Sequence, residues 1–314
     1  MQTQLLGTSD LRVSRLSYGC MRLVRTWKPA EVDDARKRDA FAMLDAAIEA
    51  GYTLIDHADI YCHGMCESVF GEWLDANRGV RDRLVIATKC GIRFPGVPNA
   101  DSPHRFDFSA EHIRWSCEQS LRRLRIDTID LYQLHRPDAL MNPAEVAGVF
   151  AELKQKGYVR HFGVSNFLPS QVSALQSHLP FKLEVNQVEI HLGRIACFED
   201  GTLDQCLERR IPPLSWSPMA GGWLGDGRDV PEKPPRREKM IELVALMDKI
   251  ARQHNVPRSV IALAWLLKHP AGIIPIVGTT RPEVIRASVQ ADAVELDRED
   301  WYRLYVAARG EKLP

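Results

Sequence analysis

Short apolar runs alternate with amphipathic stretches along nearly all of the 314 residues, and this alternation constrains the fold more than any other feature. The apolar runs fall at residues 16–20, 53–58, 84–87, 128–134, 159–164, 184–190, 213–217 and 273–277. Between them apolar residues recur at helical spacing: Phe41, Leu44 and Ile48 before Gly51, then Val69, Phe70, Trp73 and Leu74. Further on, Ser109 precedes Ile113, Cys117, Leu121 and Leu124, and Asn142-Pro143 opens a stretch carrying Val146, Phe150 and Leu153 before Gly157. Such capping and stop residues bound helices. A strand that leads into a helix and then into another strand packs as a parallel βαβ unit. Eight units with no break in composition predict one (β/α)8 TIM barrel over residues 1–314, a single domain. A hairpin around Gly7-Thr8-Ser9-Asp10 is expected to plug one end. Extra helices are expected after the seventh strand, on Leu243, Met247 and Ile250, and at the C-terminus, capped by Asp297 with Trp301 and Leu304 inside it. An open doubly wound sheet is the alternative, and the first strand lacks the Gly-x-Gly-x-x-Gly turn that such sheets use for dinucleotides.

Three successive runs end in ionisable residues: Asp56 and Tyr61 follow Thr53-Leu54-Ile55, Lys89 follows residues 84–87, and His135 follows residues 128–134. Carboxyl ends of parallel strands share one face, where barrels build their sites. Two connections, 91–108 and 219–236, exceed what a turn requires; the first reads as functional and the second as a flap.

Lys plus Arg and Asp plus Glu both number 41, so no global field recruits nucleic acid or an anionic membrane. Seven scattered cysteines give no disulfide framework, and the N-terminus lacks the basic start and apolar core of a signal peptide. A cytoplasmic protein acting on a small molecule is the expectation. The spacing of Cys62, His63 and Cys66, with His57 nearby, is that of metal ligands, but no second cluster completes a site, so no metal is assigned.

Gathered at one barrel mouth, Asp56, Tyr61, Lys89 and His135 make a recognisable chemical set. The ammonium is expected to lower the phenol's pKa, the carboxylate to hold the ammonium, and the imidazole to orient a carbonyl oxygen. The set polarises a carbonyl and offers no nucleophile, which suits hydride delivery from a bound cofactor. Alone, each residue has a blander reading: Lys89 as a solvated charge, and Asp138 as the partner of Arg136.

The stretches Ile-Asp-His-Ala-Asp-Ile-Tyr (55–61), Ala-Thr-Lys-Cys-Gly (87–91), Leu-Tyr-Gln-Leu-His-Arg-Pro-Asp (131–138), Phe-Gly-Val-Ser-Asn-Phe (162–167), Val-Asn-Gln-Val-Glu (185–189), Trp-Ser-Pro-Met-Ala-Gly-Gly (216–222) and Ile-Val-Gly-Thr-Thr-Arg-Pro-Glu (276–283) resemble the aldo-keto reductases, in particular a bacterial branch. The resemblance covers nearly the whole chain. It implies a catalytic tetrad of Asp56, Tyr61, Lys89 and His135, with Tyr61 donating a proton as an aldehyde or ketone is reduced. It also implies a nicotinamide cofactor, NADPH or else NADH, bound without a Rossmann fold. Gly19, Met21 and Asp56 would border the nicotinamide, Ser165, Asn166 and Gln187 would bond its carboxamide, and Trp216 would stack on the ring. Ser217, Met219, Gly221 and Gly222 would line the pyrophosphate, and Gly278, Thr279, Thr280, Arg281 and Arg286 the adenosine end. The sequence departs from the family pattern at His57, where threonine is usual, at Trp216, where tyrosine or phenylalanine is usual, and at Val284, where arginine is common. Two other readings are a nicotinamide-binding sensor or partner subunit with little turnover, and a Schiff-base barrel on Lys89. A charged lysine beside a carboxylate is a poor nucleophile, which argues against the latter.

Overall fold

The computed structural model describes residues 1–225, 230 and 237–313. It opens with an antiparallel hairpin of β1 (Thr3–Leu5) and β2 (Arg12–Ser14), turning through Gly7 at φ +65°. The barrel strands are β3 (Ser17–Gly19), β4 (Leu54–Asp56), β5 (Val85–Cys90), β8 (Ile129–Leu134), β9 (Val159–Ser165), β10 (Leu183–Glu189), β11 (Pro213–Trp216) and β12 (Ile274–Val277). All pair in parallel, and β12 returns to β3 to close the cylinder.

Helices α1 (Asp34–Glu49), α2 (Met65–Ala76), α3 (Ala110–Leu124), α4 (Pro143–Gln155), α5 (Pro169–Gln176) and α6 (Thr202–Arg209) follow the first six barrel strands in turn. After β11 come two helices, α7 (Arg237–His254) and α8 (Arg258–Leu267), while α9 (Pro282–Ser288) follows β12 and α10 (Arg298–Arg309) ends the chain. Local chemistry sets these boundaries: the side chains of Asp33, Ser109, Asn142 and Asp297 each accept a backbone N–H in the first turn of α1, α3, α4 and α10. Gly310, in the left-handed conformation at φ +74°, stops α10.

Two apolar layers result. Inside the barrel Leu54, Val85, Ala87, Leu131, Val185, Leu214 and Ile274 pack against Leu6, Leu11 and Val13 of the hairpin, so the hairpin plugs the amino-terminal end as the sequence predicts. With that end filled by side chains, only the carboxyl ends of the strands are left to hold a ligand. Outside, α10 is fastened to the barrel's flank by stacked Trp265 and Trp301, 5.2 Å apart, each indole N–H donating to the other's backbone carbonyl.

The connection at 91–108 is not irregular throughout. It carries a small hairpin of β6 (Ile92–Arg93) and β7 (Arg105–Phe106), whose Arg93 pairs with Asp107 at 3.2 Å. Of the stretch 219–236 read as a flap, residues 226–229 and 231–236 lie outside the described residues; Ala220–Gly222 form a single 3₁₀ turn. Among the described residues no helix is long and apolar enough to cross a membrane.

Candidate active site

The short strand β4 positions Asp56 at its last residue, and the chain then turns through Ala58 and Asp59 to bring Tyr61 back over the barrel mouth. Beyond Tyr61, Cys62 and His63 adopt left-handed φ of 46° and 54° before Gly64 at 88° starts α2. Asn166 after β9 (φ 62°) and Ser217 after β11 (φ 52°) are likewise left-handed. Left-handed non-glycine residues are strained and persist where surrounding structure over-determines them, and these all lie in loops on one face.

On that face the four separated side chains meet. The Lys89 ammonium, fully buried, donates to both Asp56 carboxylate oxygens at 2.8 Å, to the His57 carbonyl at 2.7 Å and to the Tyr61 hydroxyl at 3.3 Å. The Gln187 amide N–H donates to Asp56 Oδ1 at 2.8 Å, so the carboxylate is braced from β10 as well. The imidazole of His135 stands edge-on to the Tyr61 ring with centroids 6.0 Å apart.

The electrostatics differ from expectation at the phenol. Burial, and next the Asp56 carboxylate, push Tyr61 well above its ordinary value of 10. The lysine was expected to lower it, but its charge is already compensated by Asp56, so desolvation of the phenolate wins. The resting group is a protonated phenol with a lysine donor on its oxygen, a group poised to give a proton rather than one already ionised. Burial, then Lys89 and Arg136, push His135 well below 6.5, which keeps the imidazole neutral.

His57 does not perturb the carboxylate. Its ring meets Phe70 of α2 edge to face, centroids 4.7 Å apart, and makes no bond to Asp56; its part in the cluster is the backbone carbonyl that Lys89 uses. Neither ring nitrogen has a partner among the described residues, and burial, then Lys89, push the imidazole's pKa down to about 3. Between pH 6.5 and 3 the unfolded chain therefore takes up a proton that the folded chain refuses, so stability falls as pH falls through that window. We expect the stability difference between the wild type and His57→Gln, from urea unfolding, to change by about 2–3 kcal/mol in favour of the variant between pH 7 and pH 4.5. A difference independent of pH would contradict the assignment.

Next to the cluster a cavity of about 630 Å³ runs along the barrel mouth, the size of a cleft for an extended ligand. It is bordered by Gly19, Met21, Asp56, Tyr61, His135, Ser165, Asn166, Gln187, Trp216, Ser217, Met219, Gly221, Gly222, Gly278, Thr279, Thr280 and Arg281. Of the residues that the resemblance implied, Arg286 does not border it; its guanidinium holds Glu49 at 2.7 Å. Lys89 lies beneath the surface, reached through Tyr61 and Asp56. One wall of the cavity is a hydrogen-bonded set: Trp216 Nε1 donates to Asn166 Oδ1 at 2.9 Å, Asn166 Nδ2 to Ser165 Oγ at 2.8 Å, and Ser165 Oγ to the Gln187 carbonyl at 2.8 Å.

Sequence reasoning points to the loops at 22–27 and 92–108 as bordering the substrate but does not single out Arg136. Arg136 borders the cavity, with Cζ 5.3 Å from the Trp216 ring, while Asp138 accepts from the backbone N–H of Phe108 and Leu140 instead of pairing with Arg136. Apolar Trp27, Ile60 and Ile92 also border it. The signal for Arg136 was its place directly after His135 at a strand end. Cys62 and Cys66 are buried apolar residues, and His63 stacks on Phe94, centroids 4.4 Å apart.

A closed eight-stranded parallel barrel with a lysine-bonded phenol and a neutral imidazole at its open end defines a carbonyl-handling (β/α)8 enzyme. The chain belongs to the aldo/keto reductase family, which it matches over residues 15–307. It is 39% identical over 316 residues to a 6-dehydroglucose reductase of Novosphingobium aromaticivorans, covering 98% of this chain and 96% of that one. It is also 39% identical over 277 residues to the oxidoreductase YdhF of Escherichia coli, covering 88% and 90%. Among solved structures it resembles a thermostable aldo-keto reductase crystallised with the inhibitor epalrestat, at a TM-score of 0.82 and 25% identity over 98% of this chain and 100% of that one. It resembles the holo form of an aldo-keto reductase from Bacillus halodurans at a TM-score of 0.79 and 26% identity over 98% and 96%. The chain is an oxidoreductase that uses a nicotinamide cofactor on small carbonyl compounds.

Proposed function

We propose that this enzyme reduces an aldehyde or ketone to an alcohol with Tyr61 as the proton donor, and that NADPH is its preferred reductant. The observation that carries the reading is the Lys89 ammonium bonded at once to Asp56 and to the Tyr61 hydroxyl beside the cavity. When bound, the reduced nicotinamide supplies a hydride to the carbonyl carbon. The chain's residues do the rest. His135, neutral and bordering the cavity, donates a hydrogen bond from Nε2 to the carbonyl oxygen and orients it toward the phenol. Tyr61 gives that oxygen its proton, and the Lys89 ammonium stabilises the negative charge left on the phenol oxygen, so charge develops where a donor already waits. Asp56 and Gln187 keep the ammonium from swinging away.

The cofactor fits the residues present. Gly221 (φ 70°) and Gly222 (φ 108°) present a backbone turn in which no side chain blocks approach to a phosphate, and an added Cβ at Gly278 would meet no atom within 4 Å. Ser165, Asn166 and Gln187 would hold the carboxamide, and Trp216 offers a ring face beside them. Arg281, exposed and only loosely paired with Glu283 at 3.8 Å, is the cation at the adenosine end, since it borders the cavity whereas Arg286 does not and Val284 is apolar. We expect NADPH to raise the melting temperature more than NADH at equal concentration. Arg281→Ala should weaken NADPH binding by about 10- to 100-fold, the loss typical of a charge-assisted hydrogen bond, and leave NADH much less affected. Equal stabilisation by both cofactors would overturn the preference without touching the reaction.

Consumption of NADPH with a panel of aldehydes tests the activity directly, and the relative named for 6-dehydroglucose makes oxidised sugars an early choice. Tight cofactor binding with no turnover across the panel would return the chain to a binding role. One domain spanning 1–314, at work in the cytoplasm, is the setting that goes with this reading.

A further inference from the structure

We propose that Arg136 selects the substrate, by donating hydrogen bonds to an oxygen carried on the carbon next to the reacting carbonyl. This rests on the reduction proposed above and narrows its substrate class: carbonyl compounds with a neighbouring hydroxyl or carboxylate, in preference to plain alkyl aldehydes.

Arg136 is a cation with no ionic partner among the described residues. Arg136 leaves the end of β8 directly after His135, is half-buried, and borders the same cavity as Tyr61 and His135. Its guanidinium lies over the Trp216 ring at 5.3 Å and forms no ion pair among the described residues. The carboxylates around it are engaged elsewhere. Glu189, close enough to feel its charge, is held by Arg194 at 2.9 Å and His191 at 3.3 Å, and Asp138 accepts from two backbone N–H groups at 2.9 Å each. A guanidinium carries five N–H donors, and a stacking contact with an indole satisfies none of them.

Its position relative to the chemistry is given by the cavity it shares with Tyr61 and His135 and by its place directly after His135. Arg136 lowers both the Tyr61 phenol and the His135 imidazole, so it lies within electrostatic range of the two groups that flank the carbonyl oxygen. A carbonyl oxygen held between those groups leaves its neighbouring carbon, and any oxygen on it, inside the cavity that Arg136 also borders. Trp27, Ile60 and Ile92 border the cavity as apolar surface and give an alkyl aldehyde something to contact without distinguishing it. With the neighbouring Glu189 held by Arg194 and His191, the arginine's donors suit a neutral hydroxyl and a carboxylate alike.

The test compares three aldehydes under saturating NADPH: propanal, glyceraldehyde, with a hydroxyl next to the carbonyl, and glyoxylate, with a carboxylate there. The wild type is expected to prefer at least one oxygenated aldehyde over propanal by about 10- to 100-fold in kcat/KM, the range for a hydrogen bond from a charged donor. In Arg136→Met that ratio should collapse to within roughly threefold, mainly through KM, and Arg136→Lys should keep part of it. Preference for glyceraldehyde identifies the hydroxyl as the recognised group, and preference for glyoxylate the carboxylate. Nicotinamide fluorescence on binding confirms that each variant still folds and takes up cofactor. An arginine that merely props Trp216 would lower all three substrates by one common factor, and that outcome overturns the inference, as does a wild type indifferent to the three. Turnover of none of them, by wild type that binds NADPH, would overturn the reduction itself and this inference with it.

Discussion

Tyr61→Phe is expected to lose about 10²- to 10⁴-fold in kcat, the range for removing a positioned general acid, while binding NADPH as the wild type does. The reason lies in the geometry of one oxygen. The Tyr61 hydroxyl is the only part of the side chain that Lys89 touches by hydrogen bond, at 3.3 Å, whereas its ring packs beside His135 and makes the cation–π contact with the ammonium at 5.2 Å. Phenylalanine keeps the ring contacts and deletes only the proton source. Stopped-flow measurement of nicotinamide oxidation, with cofactor affinity read separately, separates the two effects. A variant turning over at the wild-type rate would remove Tyr61 from the mechanism and leave the fold assignment standing.

Lys89→Met is expected to be damaging twice. It removes the donor that stabilises charge on the phenol, and it leaves the Asp56 carboxylate, only 2% exposed, with the Gln187 amide as its remaining side-chain donor. Deleting one partner of a buried ion pair costs about 3–5 kcal/mol because the other charge stays behind uncompensated. The double variant Asp56→Asn/Lys89→Met removes the stranded charge and should recover most of the stability in urea unfolding, yet none of the turnover. A single variant as stable as the wild type would mean that the pair is not dry. An active double variant would mean that the phenol needs no ammonium.

Much of this is legible in the sequence. The strand-helix repeat demanded parallel neighbours, the Gly7 turn marked the hairpin, and Ser109, Asn142 and Asp297 marked helix starts, because capping and periodicity are local and each is written within a few residues. The strand-end positions of Asp56, Lys89 and His135 could be read for the same reason. What could not be read depended on packing between distant segments. Arg286 has the character of a phosphate ligand in sequence, and only the fold shows that it lies outside the cavity lining and beside Glu49 of α1. Arg136 and Asp138, two residues apart, looked like an ion pair; the loop instead spends Asp138 on backbone N–H groups and turns Arg136 over Trp216.

The order of elements, their boundaries and the residue types at the strand ends are properties of the chain alone, since hydrophobic period, caps and turns act over short range. The sign of the shift at Tyr61, the neutrality of His57 and His135, and the freedom of Arg136 to meet a substrate belong to the folded molecule. They follow from how far each group is withdrawn from water and which opposite charge arrives beside it from another strand. Solvation and Coulomb energy are set by distances in space, and no spacing along the chain reports them.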